Sequence, residues 1–571
     1  MNYLDWLILV ATMAFISIYG MWRNRRSQNI GEYLLANRSL KWYSVALSIV
    51  ATQASAITFL SAPGQAYFDG LRFIQIYFGL PLAMIVIAWV FLPRFYQWNV
   101  ITAYQYIEQK FDVKVRLLTA CLFLIQRGLA AGLVISAPSL ILSHVLGWNF
   151  YLTVLLMGGV VVAYTTIGGS AAVSQTQFQQ MLIILGGMAV AAGIIIHKLP
   201  ENVSLSKAIS FADNMGKMNA LDFSFDWHNK YTVWSGLLGG FFLSLSYFGA
   251  DQSQVERYLS GQSMEQSQKG LFFNALFKIP MQFFILMIGV LLFVFYQFEK
   301  PPIYFNTTEV EKIKNSSYQA EFQTLQNQYD ALFEQQKTAV TQGIEKGWEA
   351  QAKAQVKANQ DSITKIRKAT YSLIQKNNPL AETEQNYMFL SFVMNYLPHG
   401  LIGLLIAVIF FASMSTTAAE LNALASVSIV DIYQRVIAKD KSDAHYVFMS
   451  RLFTVIWAAL AVSFAMFAHS ASTLIEAINL MGSLFYGTIL GIFLLVFFSK
   501  NLASNAVFLA AIISQILVFL IHLSDTFAYL WYNLIGCVVT VVLAYLLNLF
   551  FPVLPSDSQY FKQIQSGKEN D

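Results

Sequence analysis

The sequence predicts an all-α integral membrane protein of about thirteen transmembrane helices, because apolar runs of about twenty residues, each long enough to cross a bilayer, recur almost end to end. Two further observations agree. Hydrophobic residues make up 56% of the 571 and charged residues only 12%, whereas a soluble domain carries about a quarter. The mean hydropathy is +0.51. Several soluble domains would fit the length, but one large bundle fits the pattern. The formal charge of +4 is modest, and its lysines and arginines sit between apolar runs without an aromatic-interleaved basic stripe. The lipid bilayer is therefore the expected partner and nucleic acid is not. Cys121 and Cys537 fall far apart inside apolar runs, so neither a disulfide framework nor a metal motif is expected.

The first run, 3–22, lacks a basic n-region and a small-residue cleavage site, and Arg23, Arg25 and Arg26 follow it. It reads as a retained helix rather than a signal peptide. Further helices are expected at 43–67, 72–93, 117–145, 150–168, 178–198, 232–250 and 271–298, then at 399–424, 449–470, 473–499, 503–523 and 529–552. Loops 23–42, 94–116, 251–270 and 431–451 hold the clustered lysines and arginines, which the positive-inside rule puts in the cytoplasm. An odd helix count in the plasma (cytoplasmic) membrane leaves the N-terminus outside and the C-terminus cytoplasmic. The long polar segments 199–231 and 299–385 then lie outside.

Within 299–385, Tyr318, Phe322, Leu325, Tyr329 and Leu332 recur at alternating four- and three-residue spacing, and Val340, Ile344 and Trp348 resume the stripe. That periodicity predicts a helical hairpin broken near Thr341-Gln342-Gly343. A solvated decoration packing its stripe on itself is the expectation, and docking of a protein partner is the alternative.

Embedded backbone should be regular helix unless a break lines a polar cavity. The stretch 48–58, SIVATQASAIT, concentrates Ser48, Thr52, Gln53, Ser55 and Thr58 in mid-span, with Pro63 and Gly64 soon after. Small residues and hydroxyls there suit an unwound helix whose carbonyls coordinate a cation, or else close packing between helices. A second cluster, FFASMSTTAAELNALA from Phe410, places Ser413, Ser415, Thr416 and Thr417 at the centre of another span. Sodium is a hard cation that takes oxygen ligands, so two such stretches together make a sensible site.

These stretches resemble the sodium:solute symporter family. The segments that carry the resemblance are ATQASAITFLSAPGQAYFDG (51–70), ITAYQYIEQKFD (101–112), YTTIGG (164–169), DQSQVERYL (251–259) and SMSTTAAELNALASVSIVDIY (413–433). The resemblance implies the leucine-transporter fold, an inverted five-plus-five repeat core. It divides the chain into an extra N-terminal helix and loop (1–42), a first repeat (43–198), an outer loop (199–231) and the first part of a second repeat (232–298). The insertion (299–385), the rest of the second repeat (386–499) and two extra helices with a short tail (500–571) follow.

It also implies sodium as coupling ion, held by the carbonyls of Ala51, Ala54 and Ala412 and the hydroxyls of Ser415 and Thr416. Some members have a second sodium site; here Gln177 stands at its aspartate position, and Ala418 and Ala419 replace its hydroxyls. One sodium per solute is therefore expected. A small-molecule solute is implied to meet Gln53, Ser55, Thr58, Tyr77, Tyr247 and Lys278. Thr58 and Tyr77 depart from the residues that bind hexose in sugar-carrying members, while the first core helix is similar to that of sialic-acid-carrying ones. Tyr247 falls where the family's inner aromatic gate sits.

Arg127 lies near the middle of a span, where a charge costs at least ~2.5 kcal/mol, so it needs compensation. It either pairs within the protein or offers a bidentate fork to a substrate carboxylate. The second choice would make the solute an anionic sugar acid or carboxylate.

The implied function is sodium-coupled uptake of a small organic solute by alternating access. A membrane sensor of the same fold, binding solute without net transport, is the alternative, although the tail after 552 is too short for a kinase. A channel is a further rival. No nucleophile–base pair, metal motif or phosphate loop suggests an enzyme.

Overall fold

The computed structural model describes residues 2–24, 30–346, 348–379, 381–467 and 473–551. Helix α1 (Tyr3–Asn24) is followed by two helices that nearly abut, α2 (Trp42–Gln53) and α3 (Ala56–Asp69). A 3-10 segment, Gly70–Tyr77, leads into Leu80–Val86, and a π-helical turn, Ile87–Phe91, joins that to Leu92–Gln97. Next come α4 (Val113–Leu146), α5 (Phe150–His197), the nearly abutting pair α6 (Gly240–Ala250) and α7 (Gln252–Leu259), and α8 (Met264–Phe295). The insertion contributes α9 (Gln319–Lys346) and α10 (Ala350–Asn377). After it run α11 (Gln385–Tyr396), α12 (Leu401–Val427), α13 (Asp443–Phe467), α14 (Leu474–Phe498), α15 (Ser504–Leu523) and α16 (Leu530–Leu547).

Among the described residues nine helices are long and apolar enough to cross a membrane, and three shorter apolar helices accompany them. The spans expected at 150–168 and 178–198 form one assigned helix of 48 residues. Helical hydrogen bonding continues through Gly168 and Gly169, while the apolar stretches fall at Phe150–Ala163 and Gln179–His197. The segment 251–270, expected as a loop, instead contains α7 and the first turns of α8.

Two membrane helices are interrupted. Between α2 and α3, Ala54 (φ −97°, ψ 70°) and Ser55 (φ −76°, ψ 172°) leave helical geometry. Between α6 and α7, Asp251 does the same (φ −81°, ψ 119°), and its carboxylate caps α7 by accepting from the Ser253 amide at 2.9 Å. Helix α8 closes against α3 at Gly289, where a Cβ would lie 2.1 Å from the Pro63 carbonyl oxygen. Glycine is what lets the two backbones meet.

Asp5 of α1 is fully buried and caps the start of α12, accepting from the Gly400 amide at 2.5 Å and the Gly403 amide at 3.4 Å. An aspartate satisfies orphan amides and complements the helix dipole there. On the face bearing loops 94–116 and 431–451, Arg116 binds Glu108 at 2.6 Å and Asp431 at 2.8 Å, while Arg435 holds the other oxygen of Glu108. That network ties the start of α4 to the segment after α12.

The insertion is a helical hairpin, but its first helix runs through Thr341-Gln342-Gly343 to Lys346 and its second begins at Ala350. Gly343 is needed for space: a Cβ there would come within 2.5 Å of the Trp348 ring, so the glycine seats the tryptophan and does not end the helix. Part of the stripe packs on itself, with Phe322 and Tyr329 against Ile363, Leu373 and Ile374. The rest docks on the membrane domain, where Val340, Ile344 and Val356 join the main core and Trp348 lies 5.3 Å from the ring of Phe211. Arg367 pins the base of the hairpin to the start of α11 by a fork onto Glu384, at 3.1 and 2.5 Å.

Nearby, burial pushes the Glu382 carboxyl up to about 7, with Asn386 opposing and Glu309 adding to the rise. A folded-state value above the unfolded one means that this group's contribution to stability falls as pH rises from the ordinary glutamate range through 7. Glu382→Gln is expected to raise the melting temperature at pH 8 relative to the unsubstituted protein and to leave it unchanged at pH 4, measured by thermal unfolding in the same detergent.

Candidate functional site

The interruption between α2 and α3 frees backbone carbonyls in the middle of the bundle, and α12 passes beside it. The Thr416 hydroxyl lies 3.4 Å from the Ala51 carbonyl oxygen. The Ser415 hydroxyl is buried, and no hydrogen-bond partner for it is found among the described residues. An orphaned buried hydroxyl costs free energy unless a ligand satisfies it. Ala51, Ala54 and Ala412 offer only backbone oxygen from buried positions. Carbonyls and neutral hydroxyls in this arrangement fit a hard monovalent cation.

Gln177 points to the same helix from α5. Its side-chain oxygen accepts from the Ser48 hydroxyl at 2.6 Å, and its nitrogen donates to Thr52 at 3.2 Å. The amide thereby laces α5 to α2. Ala418 and Ala419 are fully buried and bring only methyls to the interior of α12.

Beside this pocket is a cavity of about 120 Å³ whose wall includes Gln53, Ser55, Thr58, Tyr77, Arg127, Tyr247 and Lys278 together. Thr416 lines it as well, so one hydroxyl stands between the cation pocket and the cavity. Gln53 donates to Asn274 at 2.5 Å, and Gln254 donates to the Tyr247 hydroxyl at 2.7 Å. Gln53 is thus held by α8 and Tyr247 by α7.

Arg127 is paired within the protein through both terminal nitrogens, while its Nε has no hydrogen-bond partner among the described residues. Its guanidinium reaches Asp251 in the α6–α7 interruption, Glu420 of α12 at 2.8 Å and the Tyr486 hydroxyl of α14 at 2.5 Å. The Tyr486 hydroxyl in turn donates to Asp251 at 2.8 Å, and the Tyr247 ring lies 5.5 Å from the arginine carbon. Two carboxylates therefore outweigh one guanidinium. Lys278 differs: among the described residues no carboxylate lies within ion-pair distance, and its ammonium sits 5.2 Å over the Tyr77 ring. A cation over an aromatic face gains part of what it loses on burial.

Reading the residues alone does not find Asp251, Glu420, Asn274 or Tyr486. The signal for Glu420 was present, since a carboxylate in an apolar span carries the same cost that marks Arg127; Asp251 falls at the edge of an expected loop and carries none. Asn274 and Tyr486 carry no such mark.

The sequence profile described as the sodium:solute symporter family matches residues 33–313 and 376–527. The chain belongs to that family. The match passes over 314–375, most of the insertion. Among curated proteins, the human (Homo sapiens) sodium/iodide cotransporter is 31% identical over 267 residues, 46% of this chain and 41% of that one. The sodium-dependent multivitamin transporter of Oryctolagus cuniculus is 33% identical over 296 residues, 51% of this chain and 45% of that one. These matches span less than half the length of those relatives. The sodium/sialic acid symporter NanT of Aliivibrio fischeri is 24% identical over 551 residues, 95% of this chain and 92% of that one. A solved Na⁺-coupled sialic acid symporter, substrate-bound and outward-open, superposes with a TM-score of 0.75 at 21% identity, covering 97% of this chain and 99% of its own. The fold of this symporter family member is thereby the inverted-repeat bundle expected from its motifs.

Removing the arginine should expose its structural role. Arg127→Met leaves Asp251 and Glu420 buried without their partner, a change expected to cost roughly 3–5 kcal/mol. Its melting temperature should fall sharply, and Arg127→Met with Asp251→Asn and Glu420→Gln should recover much of the loss, measured by thermal unfolding of the purified proteins.

Proposed function

We propose that this chain is a sodium-coupled symporter that takes up a small organic anion by alternating access, with one sodium per solute. The observation that carries the reading is the position of Thr416, which approaches the freed Ala51 carbonyl on one side and lines the solute cavity on the other. A cation bound to that hydroxyl organises the cavity wall, and a solute there stabilises the hydroxyl's position. By linkage each then raises the other's affinity by the same factor. The family match and the superposition on a sodium-coupled symporter support sodium as the ion. Ala51, Ala54, Ala412, Ser415 and Thr416 are its proposed ligands.

The anion preference rests on Lys278 and not on Arg127. The guanidinium fork is already taken by two carboxylates, whereas the lysine lines the cavity with no carboxylate within ion-pair distance among the described residues. Ser55 and Thr58 add hydroxyls, and Tyr77 and Tyr247 add apolar walls, so a carboxylate with a short polar body suits the site. Among the relatives are a sodium-coupled monocarboxylate transporter and a sodium/sialic acid symporter, whose solutes have this chemistry. The protein acts in the plasma (cytoplasmic) membrane, with the N-terminus outside and the C-terminus in the cytoplasm. Basic residues concentrate on the face of the Arg116–Glu108–Arg435 network, and the positive-inside rule makes that face cytoplasmic.

In proteoliposomes, sodium but not potassium should drive uptake of the carboxylate that this protein carries, with a Hill coefficient for sodium near one. Ser415→Ala combined with Thr416→Ala should abolish it. Uptake unchanged in sodium-free buffer would refute the symporter reading, and a Hill coefficient near two would refute the single site.

Charge should appear in the energetics. A monoanion moving with one sodium transfers no net charge, whereas each uncompensated charge would feel about 2.3 kcal/mol per 100 mV. Uptake should therefore be insensitive to an imposed membrane potential. Lys278→Gln should raise the KM for the anion at normal membrane abundance; an unchanged KM would remove the lysine from the site.

A further inference from the structure

On the insertion side of the bundle lies a second cavity, of about 260 Å³, built jointly by the ends of α3 and α8, the 199–231 segment and the insertion. From Thr58, which lines the central cavity, to Tyr67, which lines this one, α3 rises about 13 Å at 1.5 Å per residue. The two spaces are therefore separate. Aromatic rings line it from both sides, with Tyr67 and Tyr296 from the membrane domain and Tyr304, Tyr329 and Phe333 from the insertion.

Positive charge is concentrated there. Arg367 is neutralised by Glu384, at 2.5 Å. Lys217 is not paired in this way: its ammonium donates to the Phe68 carbonyl and lies 4.7 Å from the Phe293 ring, and among the described residues no carboxylate is within ion-pair distance. Asp69 acts on it only from farther away, and its carboxylate accepts from Gln65. Lys368 adds an exposed ammonium to the same wall. The cavity thus holds two ammonium groups beyond its internal ion pair.

Polar groups of the lining residues are also unanswered. Gln336 is almost wholly buried, and although its nitrogen donates to Gln297 at 3.0 Å, its oxygen has no partner among the described residues. The Thr383 hydroxyl is in the same condition. Unmet acceptors beside unpaired ammonium groups and aromatic walls describe a complementary ligand: an anionic end, a flat apolar body and a hydroxyl that can donate.

We propose that this cavity is a second binding site, distinct from the central one, for an amphipathic organic anion of the hydroxylated aryl carboxylate class. It is created by the insertion and does not depend on the transport reading. Lys217 and Lys368 receive the carboxylate, the tyrosines enclose the ring, and Gln336 accepts from the hydroxyl.

The test is calorimetric titration of the full chain in nanodiscs, in sodium-free potassium buffer, with 4-hydroxyphenylacetate, acetate and phenol as separate probes. Only 4-hydroxyphenylacetate should saturate at millimolar concentration. Lys217→Met should weaken it by about tenfold or more, a loss of about 1.4 kcal/mol, and Lys217→Arg should retain it. Lys368→Glu, at an exposed position that folding does not need, should weaken it as well. Lys278→Met in the central cavity should leave it unchanged. No saturable binding, equal binding of phenol, or loss in Lys278→Met with retention in both Lys217→Met and Lys368→Glu would overturn the proposal. Sodium-driven uptake is not measured here, so failure of this site and failure of the symporter reading give different results.

Discussion

The structure depends on how one buried guanidinium is compensated. Arg127 stands in the middle of α4, where an unpaired charge is untenable, and the groups that neutralise it come from three other elements: the α6–α7 interruption, α12 and α14. Asp251 can reach it because the helix is broken at that residue, and the same carboxylate caps the helix that follows. The break and the ion pair thus support each other. Glu420 brings in α12, which also carries the hydroxyls of the cation pocket four and five residues earlier, about one helical turn. A charge that sequence reasoning could assign either to the protein or to a solute thereby holds the walls of the cavity in place.

The interruption after Gln53 was legible because hydroxyl and small residues crowd the middle of an apolar span, a pattern that regular embedded helix has little use for. The matching interruption at Asp251 was not. Its flanks, Phe248-Gly249-Ala250 and Gln252-Ser253, read as the end of a span followed by loop, since α7 is polar and short. The six residues assigned to the cavity by the resemblance do line it together, and Arg127, singled out by its charge alone, lines it with them. That Arg127 would be occupied and Lys278 left without an acid depends on distances between helices far apart in sequence. Pattern reading holds no such distances. Gly343 shows the opposite error: a glycine read as punctuation serves as clearance for Trp348.

The two faces of the bundle are closed by different means. One is latched by charge, with Arg116, Glu108, Asp431 and Arg435 linking the start of α4 to the segment after α12 through short, partly buried pairs. The other is covered by a hairpin whose contacts are mainly aromatic, with Trp348 on Phe211 and Phe305 beside Tyr67. Ionic latches respond to salt and pH, whereas aromatic packing responds to temperature through its apolar surface. Opening on the two sides is therefore governed by different solution variables.

The cap that Asp5 places on α12 has a mechanical consequence. Helix α12 carries Ala412, Ser415, Thr416 and Glu420, and its first turn is fastened to α1 by a buried carboxylate and by the close seat of Gly403 on the Asp5 backbone. Any tilt of α12 that changes the cation pocket therefore drags α1 with it. Several side chains of α1, including Leu4, Leu7, Val10 and Phe15, are exposed on the outside of the protein, where lipid would surround them. The first helix thus acts as a keel: bilayer thickness, which bears on the preferred tilt of a membrane helix, reaches the buried hydroxyls of α12 through the seat of its first turn on Asp5.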